Sequence, residues 1–492
     1  MANISILELV PKTFTPKYGP EWGSGGIFGL KYYKGVLYFT LAFEAESFFV
    51  ERECIQKYKF DLVGPQPVSG GDTYGAVETV DDKIYFGGWV HAPAIYGERG
   101  ASGSTILFNN KFSHVHEYDL RDRRVRLLWK ESLRDPERWV GEISEIIYDP
   151  VSTQLLLARA DGHENLGIYM LDPRSGEINR LSSRPALKGS IYLDYACFDI
   201  SKFDGIEGFQ CLDITSKKLY YYEIEDLNRI SIDGDGSPIY SMGSAIEGYG
   251  RYFAFIRSGL IVGNPVEPIY DGMYFVRLFD YGISGLSPRR SNSITVGGGI
   301  LVAYSAYVES AYHVDNLELT RRLNYITSPT VLVYISPPVA RIVGVLGARV
   351  TSLERVGDKI LVGYSTTANL GGRDAALVDA GVRGITMLDE SIITRQSPPY
   401  SARIPIREIL DRTFGGVPLY GYREKYLTIY SNKDLVLQIN EYDVGLPPQF
   451  YGREYVRVKA GREVIDLGGY RHIVSFKLHE GGGEGLIIVD LY

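Results

Sequence analysis

Four of the seven histidines stand at one recurring place in the chain. His91, His163, His313 and His479 each follow the second strand of a repeated strand–turn–strand pattern. Neutral imidazoles gathered with carboxylates form a ligand set for a divalent transition metal, and also a set for acid–base work. Carboxylates and amides share the position: Glu44 and Glu46, Asp161 and Glu164, Asp315, Asn432 and Asp434, and Glu480. Two long insertions bring Arg99 and, together, Asn369, Arg373 and Asp374 to the same loops. A guanidinium there is suited to holding a carboxylate or phosphate through two parallel hydrogen bonds. Glutamates also recur on the first strand of the pattern, at Glu78, Glu145, Glu247 and Glu354. The expectation is a divalent metal site at the four histidines and a substrate site at Arg99, Arg373 and Asn369. Glu145 and Glu247 are the candidate catalytic carboxylates, set against a plain structural lining role for the same side chains.

These residues meet only if the chain folds so that distant loops become neighbours. The pattern that would achieve this is legible. Glu78 to Gly88 and Glu354 to Tyr364 each read as strand, tight polar turn around Asp81-Asp82 or Gly357-Asp358, and a second apolar strand opened by Lys83 or Lys359. Looser copies begin near Lys34, Thr153, Gly205, Arg251, Gly299, Lys425 and His472. Their spacing of roughly 45 to 70 residues is that of a four-stranded blade with variable loops. The reading is an all-β chain forming a single β-propeller over residues 1–492, with about eight four-stranded blades and seven to nine allowed. The last repeat stops after three strands, while Ile4 to Val10 offers a lone strand. Their pairing would complete the C-terminal blade, close the ring and remove an exposed sheet edge. In such a wheel the loops after each second strand share one face, around the central channel. His472 falls on the opposite face, and His114 and His116 share one face of a strand.

Composition limits the alternatives. A net charge of −8 with acids and bases interspersed argues against a nucleic-acid partner, which needs a dense positive field. No window approaches the 18 or so apolar residues of a membrane span, and Met1 to Val10 lacks the basic start of a secretory signal. Three cysteines without a CxxC pair point to reduced thiols in the cytoplasm; Cys197 and Cys211 fall on neighbouring strands, yet their spacing alone does not make a bond. Few Cys and Met beside 38 tyrosines point to a thermophilic source. Diverged repeats, tyrosine-rich strands and this composition together resemble the uncharacterised β-propeller family of crenarchaeal genomes that carries only a domain-of-unknown-function label. That resemblance implies the fold and supplies no site residues. Two functions remain open: a pocket on the loop face for a small polar or anionic substrate, with a divalent metal as its cofactor, and a non-catalytic scaffold for a protein partner.

Overall fold

The computed structural model describes residues 10–11, 14, 26–42, 44–52, 54–70, 74–95, 108–202, 205–236, 242–268, 272–281, 285–305, 330–366 and 382–492. Among them the chain is all-β, in nine antiparallel sheets. The α-helix among the described residues is the four-residue Leu227–Ile230, capped by the Asp226 carboxylate. No described helix is long and apolar enough to cross a membrane.

Seven sheets are meanders in which each strand pairs with the next in sequence, the second also pairing the short Ser69–Gly70 strand. They cover residues 27–58, 69–131, 142–182, 189–223, 242–277, 293–346 and 349–389, here called blades 1 to 7. Their innermost strands are Ile27–Tyr33, Val77–Val80, Glu142–Asp149, Gly189–Tyr192, Met242–Gly248, Ser293–Val296 and Arg349–Val356. Each touches the next, and the seventh touches the first. This is a closed propeller, as the repeat predicts. The tight turns follow from backbone chemistry. Asp81 and Gly357 open their turns with φ of +51° and +63°, the left-handed geometry whose twist matches paired strands. Middle strands such as Val36–Leu41 are buried along their whole length, because each blade is sandwiched between two others. Separate apolar clusters lie between consecutive blades, one of them joining Ile27, Leu37 and Phe39 of blade 1 to Leu361 of blade 7.

Two expectations need correction. Residues 4–9 of the expected closing strand lie outside the described residues; among the described ones, Phe14 makes a single antiparallel bridge to Arg383 of blade 7, and the C-terminal strands pair without an N-terminal partner. The reason lies in residues 400–491, whose two sheets interleave. One runs Tyr400–Pro405, Gly485–Leu491, Lys425–Ser431, Gly461–Asp466, and the other Thr413–Pro418, Ile473–Gly481, Leu435–Tyr442, Phe450–Val458. Each already has four strands, so neither awaits an N-terminal one. They share one apolar core with blades 5 and 6. The second correction concerns the thiols. Cys197 and Cys211 stand directly opposite on adjacent strands and are joined by a disulfide, while Cys54 is free and exposed.

Two of the recurring glutamates fasten the wheel. Glu78 of blade 2 accepts the Tyr148 N–H of blade 3 at 3.3 Å, and Glu354 of blade 7 accepts the Tyr32 N–H of blade 1 at 3.1 Å. Burial raises both carboxyl pKa values. Glu354→Ala strands the Tyr32 amide and is expected to lower unfolding free energy by about 1–2 kcal/mol, read by urea titration. An unchanged midpoint and slope would remove the clamp role.

Candidate functional site

A cavity of about 190 Å³ runs along the ring axis and is lined from all seven innermost strands or the residues just before them. Ser244, Asn292, Ser293 and Thr351 give it hydrogen-bonding walls, and Lys31, Glu145, Lys188 and Glu354 give it charge. The backbone comes close here. A Cβ at Gly243 would collide with Pro288 and Arg289, so glycine lets the loop that carries Arg289 press against blade 5.

At the mouth on the face of the second-strand loops, the charges converge on Tyr74. Its hydroxyl donates to Asp161 Oδ2 and receives Arg289 Nη2 at 3.3 Å. The Arg290 guanidinium lies 5.3 Å from the centre of the Tyr74 ring, with Nη2 3.9 Å from Asp161 Oδ2. Lys188 Nζ donates to the Tyr74 carbonyl, to Ser144 O at 2.9 Å and to Glu145 at 3.2 Å. Lys111 Nζ bonds Glu142 Oε1 at 2.9 Å and lies over the Trp89 and Trp139 rings. Lys111, Lys188, Arg289, Arg290 and Glu142 are all at least nine-tenths buried.

The two mouth carboxylates differ sharply in proton affinity. Burial raises Glu142 to about 7, against the pull of Lys111 and with the push of Asp161. Its second oxygen, Oε2, has no hydrogen-bond partner among the described residues. Burial would also raise Asp161, but Arg289, Arg290 and Lys111 with the Tyr74 hydroxyl hold it below its ordinary value. One proton-holding and one ionised carboxyl side by side is the pattern of acid–base sites. Behind them, Asp199 accepts the Leu187 and Lys188 N–H groups at 2.7 and 2.9 Å and so fixes the turn presenting Lys188. Burial raises Asp199 to about 7.

The histidines divide. His91 ends the second strand of blade 2, wholly buried beside Trp89; burial, with Lys111 nearby, pulls its pKa down to about 3. His163 is exposed and packs on Trp139 at 4.1 Å. Because Lys111 spans both tryptophans, His91 and His163 flank one side of the mouth. His479 does not join them: it lies exposed on the strand Ile473–Gly481, against Tyr455, because that strand belongs to an interleaved sheet with no blade loop after it. His313, Arg99, Asn369 and Arg373 lie outside the described residues. Among the described residues no three His, Cys, Asp or Glu side chains assemble as a metal-holding group. Glu145 lies in the channel, tied to Lys188, and its pKa is raised by burial. Glu247 is exposed and accepts the Gly250 N–H at 3.1 Å, closing a turn. His114 and His116 do share a face, with Nδ1 atoms 3.1 Å apart in the core.

Sequence reasoning missed Tyr74, Lys111, Glu142, Lys188, Arg289 and Arg290. A signal existed: Glu142, Lys188 and Arg289-Arg290 stand at or just before the start of an innermost strand, where the chain enters the channel wall.

A model of the family described as uncharacterised proteins conserved in archaea (DUF2139) matches residues 37–373. No curated protein matches the chain. Among solved structures it is similar to an exo-β-1,3-galactanase from Phanerochaete chrysosporium with β-1,3-galactotriose (8% identity over 85% of this chain and 95% of that one, TM-score 0.28). It is also similar to a prolyl endopeptidase (10% identity, 78% and 53%, TM-score 0.39). The tricorn protease gives 12% identity over 72% of this chain and 39% of that one, with a TM-score of 0.33.

Proposed function

The chain belongs to this family of uncharacterised archaeal proteins, and from its own residues we propose that its channel mouth binds a small anionic ligand. One observation carries the reading: three buried cations, Lys111, Arg289 and Arg290, act on the Asp161 carboxylate from around the mouth. The second carboxyl in that field, Glu142, keeps its proton to about 7, so below that pH three cations face one ionised carboxylate and the mouth is net positive. In low dielectric such a field favours an anion far more than in water. Arg289 and Arg290 hold the ligand, Lys188 and the channel serines orient its polar end, and Glu142 is placed to give or take a proton. Metal assistance is left aside, since His479 stands apart from His91 and His163. A cytoplasmic, thermophilic setting fits the Cys197–Cys211 bond, because intracellular proteins of hyperthermophiles retain disulfides.

Isothermal titration of the full chain at pH 6 with inorganic phosphate, succinate and glucose tests this. Saturable binding of at least one of the two anions, none of glucose, and a loss of about tenfold or more in Arg290→Gln are expected. Anion binding that survives the Arg289→Gln/Arg290→Gln pair, or none in the wild type, overturns the proposal. The scaffold reading draws on a different surface. Exposed aromatic side chains concentrate on the C-terminal sheets, at Tyr420, Tyr426, Tyr430, Phe450, Tyr451 and Tyr455.

A further inference from the structure

The sheet formed by Tyr400–Pro405, Gly485–Leu491, Lys425–Ser431 and Gly461–Asp466 buries only one of its faces. Ala402, Ile404, Ile487, Val489, Leu427 and Ile429 point into the core. Strand alternation therefore turns their neighbours outward. Register arranges the outward residues in three rows across the strands. The first is Ser401, Asp490, Tyr426 and Asp466. The second is Arg403, Ile488, Thr428 and Val464. The third is Pro405, Leu486, Tyr430 and Arg462.

A solvated sheet face is ordinarily polar. This one places Tyr426, Tyr430 and Val464 in the open, at 36%, 41% and 43% exposure, next to Ile488 and Leu486. Its charges are segregated: both acids lie in the first row and both bases in the other two. Arg462 donates to the Tyr430 hydroxyl at 3.3 Å. None of Arg403, Arg462, Asp466 and Asp490 has an ion-pair partner among the described residues.

We propose that this face docks a second copy of the chain. A two-fold axis lying between the sheets and across the strands sets the first row of one copy against the third row of the other. Asp466 then faces Arg462 of the second copy, twice over by symmetry, and Asp490 comes within reach of its Arg403. The apolar side chains meet between these pairs. A surface whose acidic row matches its own basic row on rotation is self-complementary, as an isologous interface requires. The proposal is independent of the channel mouth.

Sedimentation equilibrium of the full chain, from roughly 1 to 100 µM, gives the test. The wild type is expected to show a reversible monomer–dimer equilibrium. Arg462→Asp sets acid against Asp466, and Asp466→Arg sets base against Arg462; each alone is expected to raise the dissociation constant about tenfold or more. The double variant Arg462→Asp/Asp466→Arg restores opposite charges across the axis and is expected to recover dimerisation. Both positions are exposed, and an unchanged melting temperature confirms that the variants fold. A wild type monomeric throughout, or a double variant as impaired as the singles, overturns the proposal; a third protein binding this face would not be rescued by the swap.

Discussion

Arg277→Ala is expected to cost about 3–5 kcal/mol of stability, the usual consequence of leaving buried charges without their counter-charge. Arg277 is fully buried between blade 5 and the C-terminal sheets. Its Nε bonds Asp233 at 2.8 Å and its Nη1 bonds Asp280. The C-terminal sheets and the turn leading into Thr413–Pro418 lock onto the same group: Ser475 donates to Asp233 at 3.0 Å, Arg412 to Asp280 at 2.9 Å, and Tyr442 to the Arg277 carbonyl at 3.1 Å. Burial opposes the positive charge, yet Asp233 and Asp280 raise the Arg277 pKa above its ordinary value. Removing the guanidinium takes from buried Asp233 its ion-pair partner and leaves buried Asp280 with Arg412. Chemical denaturation would show the loss, with Arg277→Ala/Asp233→Asn regaining part of it. If Arg277→Ala cost less than about 1 kcal/mol, typical of an exposed pair, the network would not be what fastens the C-terminal sheets.

The second large effect is a fall in stability as pH rises from about 4 to about 7. Glu142 and Asp199 both titrate near 7 in the fold, above the usual carboxyl range of the unfolded chain. Across that window the folded protein holds protons that the unfolded chain has released. Stability is therefore full below the unfolded values and declines until the folded carboxyls ionise. Each group contributes on the order of 3 kcal/mol to the decline. Glu142→Gln removes its share: unfolding free energies measured at pH 4.5 and 7.5 are expected to differ less in the variant. The same substitution separates proton from anion. In the wild type, ionisation of Glu142 adds negative charge to the mouth, so affinity for succinate, already fully ionised there, is expected to fall as pH passes 7. In Glu142→Gln it should stay flat. An identical pH slope in both proteins would rule Glu142 out as the titrating group.

The propeller was legible because its blades are sequential. Turns such as Asp81-Asp82 and Gly357-Asp358 join strands that also pair, so a local pattern reports a spatial one. The gathering of the second-strand loops on one face was legible for the same reason, and Asp161, His91 and His163 stand there. The C-terminal sheets show where this fails. Lys425–Ser431 and Leu435–Tyr442 alternate as blade strands do, but the first pairs with Gly461–Asp466 and Gly485–Leu491 and the second, besides Phe450–Val458, with Ile473–Gly481, and periodicity of 2 specifies faces rather than partners. His479 was assigned to the loop face on that account. The mouth cations were hidden differently. Lys188 and Arg290 look like ordinary loop charges, and only the closed wheel reveals that the first residues of its inner strands are buried.

Closure also carries a cost in time. The Ile27 N–H is met by the Thr351 hydroxyl at 3.1 Å, so the two edges that meet are separated by most of the polypeptide. At typical synthesis speeds of about 5–20 residues per second, the earliest blade waits roughly sixteen to sixty-five seconds for its neighbour to leave the ribosome. Until then the nascent arc presents an unfinished flank to the cell, and shielding that flank falls to whatever meets the growing chain.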